Sequence, residues 1–519
     1  MGKYLFEIVV LSSVLLILYA VLRVAYVVWW RPNYLEKVLR RQGIRGTSYK
    51  FLRGDMAEIR RSILEAQSKP MSLNHHITPR VFPFFYDMMQ KYGKVSMTWI
   101  GTKPRLIIGD PELIRMILGD KKNDFVKPPQ NPLVHMLQRG VSSLDGEQWA
   151  KRRRQITPAF HLDKLKGMMP AFSTSCSNFI DRWIKLATPE GSCEVDVAPE
   201  FQNITCDVIS RTAFGSSFGE GKKIFELQKE QAVLVIEAYY NLYIPGLRFV
   251  PTRKNKRRYK LDNEIKTMLR DIIRKKEKEI IHNRPELGAT DLLGLLLKCK
   301  EQSNNSMTIE EVIEECKLFY FAGQETTSNL LTWTMILLSM HPNWQEKARE
   351  EVLRMCGKKS PDFEAISHFK IVAMILNEVM RLYPSVCNLS RYTKRKISIN
   401  GGMTIPEGIE TLLLMLSIHH DPMSWGDDVE EFNPERFSEG VARSTSKDTI
   451  DYSLTAFYPF GWGPRRCLGQ SFAMIEAKMA LAMILQHFSF ELSPSYTHAP
   501  RTVITLQPQY GAPVILHRL

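Results

Sequence analysis

Cysteine is scarce in this chain of 519 residues, and its spacing excludes two common uses of the residue. The eight cysteines include no C-x-x-C pair, and none lies beside a histidine at zinc-finger spacing. They are too few for a disulfide framework in a chain of this length. We therefore expect a body that folds in a reducing compartment, with seven of the eight cysteines acting as small buried apolar residues.

Other features that the sequence lacks narrow the function further. No G-x-G-x-x-G run follows a predicted strand, so the sequence shows no flavin or nicotinamide domain. No repeat period recurs, and the share of hydrophobic residues, 44%, argues against global disorder. The net charge of +15 suits an anionic membrane surface or an acidic protein partner. Nucleic acid is not an expected partner, because no nucleic-acid-binding motif accompanies that charge.

A long hydrophobic run opens the chain. Residues 5–30 are almost wholly apolar and match the length of one helical membrane crossing. Trp29 and Trp30 end the run where an interfacial aromatic belt would lie. A cleaved signal peptide would have a shorter apolar core that ends at small residues. We therefore predict an uncleaved signal anchor over residues 1–30.

The charges that flank this run predict its orientation. Only Lys3 precedes it, whereas these basic residues follow it: Arg31, Lys37, Arg40, Arg41, Arg45 and Lys50. The positive-inside rule then places the body on the cytosolic side of the membrane. We divide the chain into the anchor (1–30), a linker (31–50) and a cytosolic domain (51–519).

The body is predicted to be mainly helical with small β-sheets. A hairpin is expected from residues 93–101 and 105–109, and helical patterns dominate from about Pro111. The longest helix begins at the capping box Thr308–Glu311 and runs to about Met340. Two more helices are expected, over about 369–382 and about 471–487.

The middle of the longest helix carries an unusual pair of residues, Ala322 and Gly323. A glycine inside a helix costs about 1 kcal/mol relative to alanine. Such a cost is accepted where a flat or bulky group must approach the helix, or where two helices pack through small residues. The sequence does not choose between the two.

Cys467 differs from the other cysteines because it lies on a glycine-rich loop just before a predicted helix. Backbone N–H groups and the helix dipole there favour a thiolate. The thiolate could be a nucleophile, but no histidine base lies near in sequence. A zinc site would need three more ligands, whereas a haem iron needs only one on the thiolate side. Arg465 is well placed for a haem propionate.

Five motifs resemble those of the cytochrome P-450 monooxygenases, in the family's order and across the whole body. The strongest is Phe460-x-x-Gly463-x-Arg465-x-Cys467-x-Gly469, which is similar to the haem-binding signature. The others are the helix C pair Trp149-x-x-x-Arg153, the oxygen-activation motif Ala322–Thr327, the helix K motif Glu378-x-x-Arg381 and the segment Pro434–Phe437.

This resemblance implies the cytochrome P-450 fold around haem b (iron protoporphyrin IX), with Cys467 as the axial thiolate that binds the metal. Glu378 and Arg381 would form a buried structural network with Arg436. The other residues that the resemblance assigns to haem binding are Arg465, Trp149, Arg153, Arg391, Phe460, Gly469 and Ala322.

The resemblance also implies a mechanism and partners. Thr326 and Glu325 would be catalytic, as the alcohol and the acid that deliver protons to bound O2. Electrons would come from NADPH through a separate flavoprotein reductase, which would dock near Arg465, Arg466 and Lys478. As in membrane-bound relatives, the protein would be a single-pass protein of the endoplasmic reticulum membrane.

The finer resemblance is to plant clan-72 monooxygenases, the group that contains secologanin synthase. It rests on residues 457–467, 243–252 and 497–500, with departures at Tyr458 and Arg466. It implies C–H hydroxylation of a hydrophobic plant terpenoid, most simply an iridoid or a triterpenoid. By the same resemblance, the pocket is lined by residues 131–141, 319–322, 386–389 and 506–509.

Three alternatives stay open. The substrate could be a diterpenoid hormone such as a gibberellin. The same fold could act as a reductase-independent isomerase or dehydratase, although such relatives usually lack the pair Glu325-Thr326 that is present here. The chain could also be a haem-binding sensor without turnover, which would have no need of Thr326.

Overall fold

The fold is seen in a computed structural model that describes residues 2–137, 139–186, 191–216, 218–239, 246–282, 291–301, 307–399, 402–444 and 456–519. Residues 243–245, part of one segment that carries the finer resemblance, lie outside these ranges. The α-helices of the described residues are α1 Gly2–Ala25, α2 Arg31–Arg40, α3 Met56–Gln67, α4 Thr78–Val81, α5 Pro83–Tyr92, α6 Pro111–Leu118, α7 Gly146–Ile156, α8 Leu162–Leu186, α9 Val197–Phe214, α10 Phe218–Tyr239, α11 Arg253–His282, α12 Leu292–Glu301, α13 Ile309–Met340, α14 Pro342–Cys356, α15 Phe363–His368, α16 Ile371–Leu382, α17 Met415–His419, α18 Pro422–Trp425 and α19 Gln470–His487.

The strands are short and form small sheets. They are β1 Arg45–Gly46, β2 Val95–Ile100, β3 Lys103–Ile108, β4 Phe125–Val126, β5 Ser192–Asp196, β6 Leu389–Thr393, β7 Ile397–Ser398, β8 Thr404–Ile405, β9 Glu410–Leu413, β10 Phe488–Leu492, β11 Pro500–Thr502, β12 Leu506–Pro508 and β13 Pro513–Arg518. The largest sheet has the order β1-β2-β3-β9-β6-β4, and β10-β13-β5 form a second. The predicted hairpin is confirmed, because β2 pairs with β3 antiparallel. The predicted class, mainly α with small sheets, is confirmed as well.

The amino-terminal helix is long and uncovered. A single helical stretch, with a π-helical turn at Tyr26–Trp30, runs from Gly2 to Arg40 and is long and apolar enough to cross a membrane. None of the side chains of α1 is buried in the protein. Large apolar side chains exposed in this way are normally covered by lipid or by another protein.

The expected linker over residues 31–50 contains a helix that packs on the body. Leu35 and Leu39 of α2 are buried in the apolar cluster that also covers one face of the largest sheet. The Tyr49 hydroxyl donates a hydrogen bond to the carbonyl of Val28 at 2.6 Å. The helix that carries the apolar run is therefore fixed to the body through these contacts.

Helix α13, the longest helix of the body among the described residues, follows the prediction at both ends. The Thr308 hydroxyl accepts from the Glu311 amide at 3.2 Å, and the Glu311 carboxylate accepts from the Thr308 amide at 2.8 Å. These two bonds are the expected capping box. Most of α13 is buried in the main apolar core, including Trp333. It packs most extensively against α9, so it forms a rigid wall through the middle of the domain.

A buried ion network ties α16 to the segment before the Cys467 loop. Arg381 donates to both carboxylate oxygens of Glu378, at 2.7 and 2.8 Å, and both side chains are fully buried. Arg436 lies 3.6 Å from Glu378 and donates to the carbonyl of Trp425 at 2.9 Å. A buried charge pair is stable only with such complete hydrogen bonding. The arrangement supports the structural role that the resemblance implied.

Helix α11 is rich in lysine and arginine, above all over residues 253–260 and 274–278. Many of these cations pair with carboxylates. Arg257 pairs with Glu230, and Arg270 with Glu310 at 2.6 Å. Exposed pairs of this kind contribute little to stability. The geometry favours a solvated helix face over a specific site.

Candidate active site

A cavity lies between α13 and the loop that carries Cys467. One wall is formed by the segment Tyr458–Gly469, and the opposite wall by α13 residues between Leu318 and Leu330. Apolar side chains from α9, α16 and β6 close the sides. Three of the five sequence motifs, which lie far apart in the chain, therefore meet around one space, whereas Glu378, Arg381 and Arg436 are not on its wall.

Backbone geometry shapes the Cys467 loop. Gly461 and Gly463 have φ values of +70° and +69°, which side chains other than glycine rarely adopt. A side chain at Gly463 would also collide with the Leu118 carbonyl. The Cys467 amide donates to the carbonyl of Phe460 at 2.9 Å, which closes the loop. Two glycines and one hydrogen bond thus hold Cys467 in a single position three residues before α19.

The Cys467 side chain is exposed only toward the cavity, since it lies on its wall. Burial within the domain raises the pKa of its thiol, while the Gly469 amide and the cations Arg153 and Arg466 oppose that rise. The net direction differs from the expectation that the loop alone favours a thiolate. Loss of the proton would need an added positive charge at the sulfur, such as a metal ion.

Cations crowd one end of the cavity. Lys127, Arg391 and Arg465 lie on its wall. Burial and the charges of Arg391 and Arg465 lower the pKa of Lys127 to about 7, and burial and Arg465 lower the pKa of Arg391 to about 10. Arg465 pairs with Asp145 and donates to the Leu144 carbonyl at 2.9 Å. Arg391 is buried and the other two cations are half-buried. Three neighbouring cations repel one another, so the site favours a bound anion.

Trp149 and Arg153 lie at the same end, on one face of α7. The Arg465 guanidinium stacks on the Trp149 ring at 4.6 Å from the ring centre. Arg153 donates to the Arg466 carbonyl at 2.8 Å, so it braces the Cys467 loop from outside. Both line the cavity, together with Phe460, Gly469 and Ala322. The residues that the resemblance assigned to haem binding therefore all lie around one space.

These residues fit a haem. A sulfur faces the cavity from one wall, apolar side chains form its faces, and unbalanced cations at one end match two propionate carboxylates. A haem iron would supply the positive charge that favours the Cys467 thiolate. By contrast, the described residues include no group of three or more side chains arranged for a metal such as zinc.

The α13 wall offers small and polar groups to the cavity. Ala322, Gly323, Thr326 and Thr327 line it. The Thr326 hydroxyl donates to the Ala322 carbonyl at 2.8 Å, so its oxygen still has free acceptor capacity. A side chain at Gly323 would lie 2.8 Å from Ile209 of α9. Close helix packing therefore explains this glycine.

Glu325 points away from the cavity. Its carboxylate accepts from the Thr505 hydroxyl at 2.7 Å and from the Asn329 amide at 3.3 Å, and it is not among the residues that line the cavity. Thr326 thus lies on the cavity wall, whereas Glu325 does not and its carboxylate is bound to Thr505.

The predicted pocket segments are largely found at the cavity. Val141, Phe319, Val386 and Leu389 line it. The turn near residues 506–509 differs, because none of its residues is on the described cavity wall. Leu506 instead lies in β12, where its carbonyl accepts from the Trp333 indole at 3.0 Å.

Two residues that matter here carry no sequence signal. Lys127 adds a cation to the end of the cavity where Arg391 and Arg465 lie, but in the sequence it follows the short strand β4 and belongs to no motif. Glu476 of α19 is buried, and neither carboxylate oxygen has a hydrogen-bond partner of ordinary geometry among the described residues. Burial raises its pKa far above the usual range, slightly opposed by the nearby Thr327 hydroxyl. Only tertiary packing reveals either residue.

The residues expected to dock a reductase do not share one surface. Lys478 turns inward and donates to the Ile366 carbonyl at 2.9 Å, and burial lowers its pKa. Arg465 belongs to the cavity. Of the three, only Arg466 is exposed. Lys478 is half-buried and already donates to a backbone carbonyl, so its role in docking stays a prediction.

A cavity with a single cysteine ligand on one wall, cations at one end and an alcohol-bearing helix opposite defines a haem–thiolate enzyme. Residues 71–510 match the Cytochrome P450 family. The chain belongs to the cytochrome P450 family and is a monooxygenase of CYP72A type.

Three plant relatives show how close this similarity is. The chain is 54% identical over 501 residues to Cytochrome P450 CYP72A616 of Paris polyphylla, covering 95% of each chain. It is 47% identical to 7-deoxyloganic acid hydroxylase of Catharanthus roseus, covering 99% of each. It is 48% identical to secologanin synthase 1 of the same plant, covering 95% of this chain and 94% of the relative.

A solved structure shares the fold at low identity. The retinoic acid-bound cyanobacterial CYP120A1 superposes with a TM-score of 0.75 at 22% identity, covering 92% of this chain and 99% of that one. This likeness confirms the predicted cytochrome P-450 fold.

Proposed function

We propose that this monooxygenase hydroxylates C–H bonds of a hydrophobic plant terpenoid, an iridoid or a triterpenoid. Two relatives carry iridoid-related names, the 7-deoxyloganic acid hydroxylase and secologanin synthase 1. The cavity supports a hydrophobic ligand, because its lining as a whole is mainly apolar with few polar groups. The single observation that carries the proposal is the placement of Cys467 and Thr326 on opposite walls of that cavity.

The protein's own residues would divide the work. Cys467 would hold the iron, and Arg391, Arg465, Trp149 and Arg153 would hold the propionates. Phe460, Gly469 and Ala322 would contact the ring. The haem would supply the oxidising chemistry, as cofactors do in general. The apolar wall would exclude water and orient the substrate.

Proton delivery would fall to α13. The Thr326 hydroxyl, which already donates to Ala322, would accept a water's hydrogen bond and hold that water over the cavity. Glu325 would act from behind, through Thr505 or a rotation of its side chain, because its carboxylate now faces Thr505. Thr326 is thus the direct contact and Glu325 the more distant acid.

The amino-terminal helix and the body that follows it support a proposal for the cellular setting. Residues 1–30 would anchor the protein in the endoplasmic reticulum membrane, and residues 51–519 would form the catalytic domain in the cytosol. Residues 31–50 would connect the two, with α2 docked on the body. Electrons would come from NADPH through a separate flavoprotein reductase, with Arg466 as one exposed cation near Cys467.

Microsomes that contain the full chain and a reductase test this proposal. They would be fed a panel of iridoids, triterpenoids and gibberellin-type diterpenoids with NADPH and O2. An oxygenated iridoid or triterpenoid that needs NADPH is the expected product. Product formation without reductase would support an isomerase or dehydratase instead. No product from any class, despite a normal haem–thiolate spectrum, would contradict the proposal and favour a sensor.

A further inference from the structure

The residues 134–137 and 139–142, which we call the segment 134–142, border the cavity without being part of a long helix or strand. It contains two short 3-10 turns, Val134–Met136 and Gly140–Ser142. Val141 and Ser142 lie on the cavity wall. Leu137 is buried against Phe321 of α13 and against α10. A stretch this irregular needs specific bonds to keep one position.

The first such bond comes from Glu315, a fully buried residue of α13. Its carboxylate accepts from the Val141 amide at 3.1 Å and from Arg152 of α7 at 2.7 Å. Gly140 has a φ of +73°, and a side chain there would lie 2.6 Å from the Glu315 carboxylate. The glycine lets the backbone come this close to the buried charge.

The second bond comes from Lys317, two residues further along the same helix and also fully buried. Its ammonium donates to the Met136 carbonyl at 2.9 Å and to Asp262 of α11 at 2.6 Å. The α13 residues that follow at once, Leu318 and Phe319, line the cavity. The tethers and the cavity wall are therefore parts of one rigid element.

Charges this deeply buried are costly unless each finds charged and polar partners. Glu315 has one ion partner, Arg152, and Lys317 has two, Asp262 and Glu314, the latter at 3.4 Å. Each charge also has one backbone partner in the segment 134–142. Releasing the segment would leave each buried charge with one bond fewer. The same charges would thus restrain the segment at Met136 and at Val141, five residues apart.

We propose that Glu315 and Lys317 are positioning residues that hold the segment 134–142 against the cavity and so fix which C–H bond of a substrate is presented. The effect on which C–H bond is presented rests on the proposed function. Neither side chain lines the cavity, so both act through the segment. The substrate class concerned is a bulky hydrophobic one, since the cavity lining is mainly apolar and the segment contributes Val141 to it beside Ser142.

Two variants test the tethers, each measured as the haem-loaded full chain. Glu315→Gln removes the charge that binds Arg152, and Lys317→Met removes the donor to Met136. We expect amide exchange in the segment 134–142 to speed up about tenfold, as loss of a hydrogen bond to a charge implies. Glu311→Gln is the matched control. It weakens the exposed contact of Arg152 with Glu311 but keeps the capping box, so exchange in the segment should not change.

A ligand that needs no turnover reports on the cavity. 4-Phenylimidazole can bind a haem iron through nitrogen while its phenyl group fills the space above, whereas imidazole leaves that space empty. Both tether variants should weaken 4-phenylimidazole about threefold to tenfold, at unchanged imidazole affinity. With any terpenoid that the wild type oxidises, the ratio of product isomers should also change.

Gly140→Ala keeps both buried charges but pushes the segment away from Glu315, so it replaces Glu315→Gln if that variant fails to fold. Unchanged amide exchange and unchanged 4-phenylimidazole affinity in folded variants would contradict the proposal that Glu315 and Lys317 hold the segment 134–142. Faster exchange at an unchanged product ratio would overturn their role in selectivity. If the wild type oxidises nothing, the proposed function fails, whereas exchange and ligand affinity still decide the tethers.

Discussion

The two walls of the cavity differ in how they are built. The Cys467 wall depends on a local loop with two left-handed glycines and one backbone hydrogen bond. The α13 wall depends on one long helix, and residues from elsewhere in the chain, such as Val141 and Leu389 of β6, complete the cavity beside it. The first wall is specified by neighbouring residues, and the second by tertiary contacts. The difference explains why the type of chemistry can be read from the sequence while the substrate cannot.

The largest effect should come from the network beneath the Cys467 wall. Glu378→Gln would leave Arg381 buried without its ion partner, which costs about 3–5 kcal/mol. We therefore expect a much lower melting temperature for the haem-loaded variant than for the haem-loaded wild type. Arg395→Gln, which breaks an exposed pair with Asp124, should cost about 1 kcal/mol or less. Equal effects of the two variants would contradict the structural role of Glu378.

The next effect concerns the cation end of the Cys467 wall. Arg391→Met should speed haem loss to an acceptor protein about tenfold or more, because a charge-assisted hydrogen bond to a propionate is removed. Arg395→Met on the same chain segment, outside the cavity, is the control and should retain haem normally. Normal haem retention in Arg391→Met would remove this residue from the propionate site.

These two predictions concern residues that were largely visible in the sequence. Glycine spacing, the cysteine and the arginines lie within short motifs, so local geometry fixed their expected places. Lys127, Glu315 and Lys317 were not visible, because their partners lie far away in the chain and no motif marks them. The resemblance placed the turn at 506–509 in the pocket, and this stays a prediction: its residues are not on the described cavity wall, but the Leu506 amide donates to the carbonyl of Ser385, which is. The sequence showed groups that favour a Cys467 thiolate, but not the burial that raises the pKa of its thiol against the Gly469 amide, Arg153 and Arg466.

On the α13 wall, Thr326→Ala should separate proton delivery from haem binding. The variant should keep its haem and consume NADPH, but the yield of product per NADPH should fall roughly tenfold or more, in line with a lost general-acid contact. Thr334→Ala is the matched control, since Thr334 makes the same kind of bond to the Leu330 carbonyl, at 2.7 Å, away from the cavity. Full coupling in Thr326→Ala would take Thr326 out of its proposed role.

The smallest effect is expected for Glu476, which is buried in α19. Because its folded pKa is raised above the unfolded value, the folded state keeps a proton that the unfolded state loses. Stability from this group is therefore present below the unfolded pKa and declines as the pH rises above it. Glu476→Gln, which stays neutral, should raise the melting temperature more at pH 8 than at pH 5. An equal shift at both pH values would mean that Glu476 is ionised in the folded protein.

The measurement that tests the central claim most directly is the carbon monoxide difference spectrum of the reduced protein in microsomes. The wild type should show the red-shifted Soret band of a haem iron bound by a thiolate, and Cys467→Ser should lose it. Cys387→Ser, at a buried cysteine away from the cavity wall, should keep the band. A wild-type spectrum without the red shift, or a Cys467→Ser spectrum that retains it, would contradict Cys467 as the iron ligand.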